Sequence, residues 1–337
     1  MTEFERYSGC IQGKAVDHLP RIPIVMQFAA EYIGSDYGQF ASDHKTLVAA
    51  SGACAEAFGF DQLSAISDPY RETQGFGARI EFVTDGVPRC IDPPLAHSKD
   101  LSLLQSPDPE KSERMRDRLN AVDIFGDKYC DRFSILGWVE GPAAEAATLR
   151  TVNNFLVDIA LDPDYTAELM DICTALEIEF ARAQISRGAD TIGIGDAIAS
   201  QVSANTYRQM IWPREKRLID GIREAGAYVR LHICGDISHL LEMIAELDID
   251  ILDVDHMVDL KEVRKRVGAD VVIAGNIDPV EGIRNGTPDA IRRYLMDSYR
   301  DIGFPFMVNA GCEIPAGTPH ENLQALCEPV PFHSIYA

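Results

Sequence analysis

The sequence predicts an α/β fold of the (βα)8 TIM-barrel class, and three observations carry that prediction. Eight short β-rich runs are spaced along the chain, most of them followed by a longer amphipathic stretch of helical period. Most of the runs are continuously apolar instead of alternating, the pattern of parallel strands covered on both faces. Polar and ionisable residues then follow the runs at one end, where the loops of a barrel converge. An open, doubly wound sheet is the alternative, and the number of runs favours closure.

The runs are RIPIVM (21–26), DQLSAI (61–66), RFSILGW (132–138), DTIGIG (190–195), YVRLHI (228–233), DILDVD (250–255), DVVIAG (270–275) and PFMVNA (305–310). Helices are expected over 43–58, 108–129, 143–188, 203–226, 236–247, 258–267 and 287–302. Pro163 after Asp162 and Pro288 after Thr287 fall in first helical turns, where a missing N–H costs nothing. Gly226 and Gly268 stand where helices should end. Residues 77–104 look like a hairpin insert turning at Thr84-Asp85-Gly86. With no repeat, low-complexity tract or linker, one domain over 1–337 is expected, with an N-terminal extension at 1–20 and a divergent tail at 328–337.

Charge excludes one class of partner. Against 31 basic residues stand 53 acidic ones, a net charge of -22 and a pI near 4.7, which repels phosphate backbones and anionic membranes. No nucleic-acid partner is expected. No apolar stretch approaches the ~20 residues that span a bilayer. The start, MTEFERYSGC, lacks the cationic and apolar regions of a secretion signal, so a cytoplasmic protein is expected. The eight cysteines (10, 54, 90, 130, 173, 234, 312, 327) are too scattered for a disulfide scaffold and suit free thiols in a reducing compartment. A homo-oligomer is compatible with all of this.

The chemistry gathers at the strand ends. Ser67-Asp68 follows the second run, Asp196 the fourth, His232-Ile233-Cys234-Gly235 closes the fifth, Asp255-His256 the sixth, Asn276 the seventh and Gly311-Cys312-Glu313 the eighth. Residues i and i+2 at a strand end point the same way, so His232 and Cys234 can reach one ion, and Cys312 reaches the same mouth. Two sulfurs and one nitrogen suit zinc, and three protein ligands leave the fourth position that a catalytic site needs. The bland alternative is a buried histidine and two core thiols. Trp138 and Trp212 read as core positions, and His239, His320 and His333 as packing or surface positions.

Three stretches then carry a resemblance: LHICGDISHLLEMIAELDIDILDVD, AGNIDPVEGIRNGTPDAI and VNAGCEIPAGTPHENLQAL. With GCIQGKAVDHLPRIPIV, SDPYRETQGFGARIEF, VEGPAAEAA and GADTIGIGDAIAS, they resemble the uroporphyrinogen decarboxylase superfamily over about residues 5–328. The likeness is greatest to its zinc-dependent, corrinoid-linked methyltransferases of the methylcobamide:coenzyme M type. That resemblance implies His232, Cys234 and Cys312 as both zinc ligands and catalytic residues. It also implies methyl transfer between a methylcorrinoid and a small thiol acceptor such as coenzyme M or homocysteine. The chain has no Asp-X-His-X-X-Gly corrinoid motif, since Asp255-His256-Met257-Val258-Asp259 does not fit it. The corrinoid should therefore ride on a separate partner protein. Asp68, Asp196, Asp255 and Asn276 are candidates for holding the substrate, with Asp255 also a candidate fourth ligand and loop capping the plain alternative for each.

Two departures keep rivals open. Decarboxylases of the superfamily grip propionates with an arginine-rich segment, and IPIVMQFAAEYIGSDYG has no arginine after Arg21. Asp68 matches the position of their catalytic aspartate, so a metal-free decarboxylase is the first rival. A corrinoid-linked demethylase that passes methyl groups to a folate is the second. A non-catalytic zinc or corrinoid-handling protein is the third. The ending EPVPFHSIYA departs from the family's usual closing helix.

Overall fold

Helix begins at residue 3, where the Thr2 hydroxyl accepts from the Glu5 N–H and the Glu5 carboxylate accepts from the Thr2 N–H. The structure is a computed structural model and describes residues 1–332. Its first helix, α1 (Glu3–Ile11), lies across the N-terminal end of the barrel. Tyr7 meets the Thr191 hydroxyl at 2.9 Å, the Cys10 thiol faces the Phe306 carbonyl at 3.6 Å, and both pack with Ile22, Ile251, Val272 and Met307. The extension therefore plugs the bottom and leaves the opposite end to the functional loops.

Three helices, α2 (Gln27–Tyr32), α3 (Tyr37–Ser42) and α4 (His44–Phe58), precede β1 (Gln62–Ser64). α5 (Arg71–Gly75) leads into an antiparallel hairpin of β2 (Arg79–Val83) and β3 (Gly86–Asp92). α6 (Glu113–Tyr129) then precedes β4 (Ser134–Glu140), which is buried along its whole length. The long helical region that follows is three helices: α7 (Pro142–Arg150), α8 (Val152–Leu161) and α9 (Pro163–Ser186). Thr151, at a φ of 70°, breaks the first junction, and Pro163, which lacks an N–H, opens α9. Next come β5 (Thr191–Gly195), α10 (Ala204–Thr206) and α11 (Trp212–Glu224), the last two joined by a π turn at Tyr207–Ile211. β6 (Tyr228–Ile233), α12 (Leu241–Ile244), β7 (Ile251–Val254), α13 (Leu260–Val267), β8 (Val272–Ile277), α14 (Pro288–Ile302), β9 (Phe306–Ala310) and α15 (His320–Leu326) complete the chain.

The strands form one parallel sheet in the order β1-β4-β5-β6-β7-β8-β9. The remaining position is where the sequence-based expectation needs correcting, because 21–26 is not a regular strand. Only Arg21 bridges to Val308, flanked by the Ile22 N–H to the Val308 carbonyl (2.9 Å) and the Val308 N–H to the Pro20 carbonyl (2.7 Å). On its other side the Asp61 N–H reaches the Arg21 carbonyl at 2.8 Å. This extended segment thus closes the ring between β9 and β1. Pro20 and Pro23 have no N–H to donate, so the ladder cannot lengthen. The helix expected at 236–247 is also cut down to one turn, α12, because Asp236 folds its start into a turn by accepting from the Ser238 N–H at 2.9 Å.

The tail returns to the extension, with the Leu19 N–H on the Val330 carbonyl at 2.9 Å and Arg292 holding Glu328. Residues 333–337, and with them the end of the divergent tail and His333, lie outside the described residues. Among those described, no helix is long and apolar enough to cross a membrane. All eight cysteines are free thiols.

Candidate metal centre

Parallel register sets His232 on β6 beside Gly195 of β5 and Asp253 of β7. Asp253 is wholly buried and fixed from two sides, by Arg230 through Nη2 (2.6 Å) and Nε (3.0 Å) and by Asn309 Nδ2 (2.7 Å). Above it, His232 Nδ1 lies 3.3 Å from the Asp253 carbonyl oxygen and 3.5 Å from its carboxylate. The ring is thereby oriented with Nε2 facing the Cys234 sulfur at 3.0 Å. Cys234 sits in the loop beyond β6, which turns at Gly235 with a φ of +95°, a conformation that L side chains rarely adopt. The Gly235 N–H donates to Asp255 at 2.8 Å, so Asp255 steadies this loop from the end of β7.

Cys312, two residues past β9, brings its sulfur to 4.0 Å from that of Cys234, and the three ligand atoms lie within 4.8 Å of one another. Two cysteinates on a tetrahedral zinc ion stand roughly 3.8 Å apart, given Zn–S bonds of about 2.3 Å. A metal-binding histidine also directs its second ring nitrogen at a carbonyl or carboxylate, as His232 does toward Asp253. The donor set therefore fits zinc in spacing, ligand softness and histidine support.

The charges point the same way. The adjacent Cys234 thiol, together with His232, draws the Cys312 thiol down to about 4 against the cost of burial. Burial opposes a charged imidazolium, yet Asp253 and Cys312 outweigh it and push His232 up to about 9. Contact with Cys312, then burial, pushes Cys234 upward. Cys312 is thus the more acidic of the two thiols, and a cation bound here would displace protons from the cluster.

The three residues line a cavity of about 250 Å3 with Ile24, Met26, Ile66, Asp68, Pro69, Trp138, Glu140, Gly195, Ala197 and Glu313. Of the four proposed substrate residues, only Asp68 is on this wall, and its carboxylate is taken. Arg114 Nη1 meets Oδ1 at 2.8 Å, Arg114 Nη2 and the Ser67 hydroxyl (2.8 Å) meet Oδ2, and the Tyr70 N–H reaches Oδ1 at 3.1 Å. Asp196 is fully buried and accepts from the N–H groups of Ala143 (3.2 Å) and Ala144 (2.8 Å) at the start of α7. It is a helix cap. Asn276 donates to the Asp255 and Val258 carbonyls (3.0 and 2.8 Å) and accepts from Tyr294 (2.7 Å), so it ties β8 to the loop after β7 and to α14. Asp255 braces Gly235 and is not among the donor atoms gathered with His232, Cys234 and Cys312.

Sequence reasoning missed Asp253, Arg230, Glu140 and the wall role of Trp138. An acidic residue in the middle of the apolar run DILDVD was the available signal for Asp253, since a buried charge on a parallel strand needs a partner. A second cluster, Asp43, His44 and Asp117, is accounted for locally. Asp43 caps α4 through the Thr46 N–H at 3.0 Å, and Asp117 accepts from the His44 backbone (3.0 Å) and faces its ring (2.7 Å).

Trp138 owes its position to Gly193, where a Cβ would come within 2.2 Å of the indole ring. Gly193→Ala is expected to push the ring toward the cavity and to destabilise the fold by about 1–3 kcal/mol, the usual cost of overpacking. Tryptophan emission in a Trp212→Phe background reports the displacement, and an unchanged spectrum with unchanged stability would count against the close contact.

The uroporphyrinogen decarboxylase (URO-D) family model matches residues 2–331. A methylcobamide:CoM methyltransferase of Methanosarcina mazei is 26% identical over 340 residues, covering 97% of this chain and 98% of that one. A uroporphyrinogen decarboxylase of Crocosphaera subtropica is 27% identical over 282 residues, covering 81% of this chain and 78% of its own. Among solved structures, a methyltransferase from Methanosarcina mazei superposes with a TM-score of 0.89 at 23% identity, covering 97% of each chain, a likeness of fold. With the model matched almost end to end, the chain belongs to the uroporphyrinogen decarboxylase family.

Proposed function

We propose that this chain is a zinc-dependent, cytoplasmic methyltransferase, one barrel domain that moves a methyl group between a corrinoid carried by a separate protein and a small thiol. The observation that carries the reading is the convergence of His232, Cys234 and Cys312 on one wall of a mainly apolar cavity. The similarity to methylcobamide:CoM methyltransferases supports the reaction class.

Bound by those three residues, zinc would supply a positive charge beside the incoming sulfur, so that the thiol binds as a thiolate and a proton is released. Cys234 and Cys312 contribute two negative charges, which keep that sulfur electron-rich and nucleophilic. Asp253, held by Arg230 and Asn309, fixes the orientation of His232. Asp255 holds the Cys234 loop through Gly235. Ile24, Ile66 and Trp138 form dry walls that keep water from competing for the methyl group. The methyl passes from cobalt to sulfur, and cobalt keeps the bonding electron pair. A metal-free decarboxylase centred on Asp68 has less support, because Arg114 takes both oxygens of that carboxylate.

The test is spectroscopic. In protein loaded with cobalt(II) in place of zinc, 2-mercaptoethanol is expected to add a thiolate-to-metal absorption band and to release about one proton. The zinc form should then demethylate methylcobalamin with the same thiol, and the metal-free form should not. No new band and intact methylcobalamin would defeat the thiol reading and favour a folate acceptor.

A further inference from the structure

The cavity beside Cys234 and Cys312 is mainly apolar and, among the described residues, is lined by three acidic residues and by no lysine or arginine. Asp68, Glu140 and Glu313 are its acidic residues, the Asp68 side chain being fully covered, and among the described residues the one basic group there, His232, turns its Nε2 to Cys234. Two arginines stand close by, but each lies behind a carboxylate that it pairs with. Arg114 holds both oxygens of Asp68 and the Ala41 carbonyl (2.7 Å). Arg71, wholly buried, donates to Glu140 at 2.8 Å and to the Asp68 carbonyl oxygen. Both guanidiniums are spent on the protein's own acids, and neither arginine lines the cavity.

We propose that the acceptor is a short alkyl thiol that bears no anionic group, and that a sulfonate or carboxylate tail is selected against. This deepens the thiol-acceptor reading above and rests on it. An anionic tail entering a cavity of about 250 Å3, small for a ligand pocket, would be desolvated against mainly apolar walls and the Glu140 and Glu313 carboxyls, with no lysine or arginine to answer it. Its approach is also disfavoured by the net charge of -22. An uncharged tail meets Ile24, Met26, Ile66 and Trp138 instead, and each methylene buried there should strengthen binding about fourfold.

Matched pairs of thiols test this by titration calorimetry on the zinc-loaded protein: 2-mercaptoethanol against 2-mercaptoethanesulfonate, and 3-mercaptopropanol against 3-mercaptopropionate. The neutral member of each pair should bind at least about tenfold more tightly. An anionic member that binds as tightly or more tightly overturns the inference and leaves the thiol reading standing. If no thiol of either kind binds, the thiol reading itself fails and the inference goes with it. Two variants leave a guanidinium charge without its paired carboxylate near the cavity, Glu140→Gln beside Arg71 and Asp68→Asn beside Arg114. In whichever of them stays folded, the deficit of the anionic thiol should shrink by about tenfold, with the neutral thiol changing less than threefold. A deficit that stays the same in both would overturn the role assigned to these walls.

Discussion

Cys312→Ser is expected to leave the barrel folded and to lose its metal. Serine is nearly isosteric, but its hydroxyl stays protonated at neutral pH and offers zinc a poor ligand in place of a soft thiolate. Wild-type protein should carry about one zinc per chain after gel filtration, and the variant less than about a tenth of that. Cys234→Ser should behave alike, because the two sulfurs face the same point from either side of a 4.0 Å gap. Asp253→Asn should be milder, weakening metal binding by roughly 10- to 100-fold, because it disturbs only the support of His232. Methylcobalamin demethylation with thiol should fall on the order of 10³-fold in either cysteine variant, the rate equivalent of the several kcal/mol that a metal contributes to such a step. Far-UV circular dichroism should stay unchanged, since the core is built from strand and helix packing and does not rest on the cluster. Equal zinc content in wild type and both cysteine variants would remove the metal centre from the reading.

Arg114→Met should produce the largest loss of stability. Asp68 is buried and its carboxylate depends on Arg114, so deleting the guanidinium strands an uncompensated charge, at a cost of about 3–5 kcal/mol. That should lower the thermal midpoint by on the order of 5–10 °C. Adding Asp68→Asn to the same protein should recover most of it, because a neutral side chain costs far less to bury unpaired. The pH dependence has a definite sign. Burial raises the Asp68 carboxyl, but Arg114 outweighs it and holds the group well below the usual carboxylate range. The folded state therefore keeps the charge at a pH where the unfolded chain has begun to protonate. The pair's stabilisation is fully present above an ordinary aspartate pKa of about 4 and fades as pH falls below it. The gap between wild type and Arg114→Met should be widest near neutrality and narrow in acid, as denaturant titrations at pH 7 and pH 3 would show. A constant gap would mean that Arg114 acts through packing alone.

Most of the strands were legible because β4 to β9 are parallel, buried on both faces and written as apolar runs between turn signals. The segment at 21–26 has the same composition, and its prolines turn it into a bridge instead of a ladder. Helix ends at Pro163, Pro288, Gly226 and Gly268 were readable from local backbone preference alone. The break at Thr151 was not, since nothing local marks a threonine for positive φ.

The gathering of His232, Cys234 and Cys312 was legible for a related reason. His232 and Cys234 sit two residues apart at a strand end, and a parallel barrel sends every such end to one mouth, so Cys312 reaches it too. The sequence by itself thus determined the barrel, the end that carries chemistry and the three clustered side chains, because periodicity and strand-end position are local properties of the chain. Only the tertiary structure decided which charged residues are free to meet a substrate. Asp68 is claimed by Arg114 from 46 residues away, Glu140 by Arg71 from 69, and Asp196 by backbone N–H groups 52 and 53 residues earlier. Such pairings leave no periodic trace, since they are set by which groups the closed ring buries together and by the cost of burying a charge without a partner.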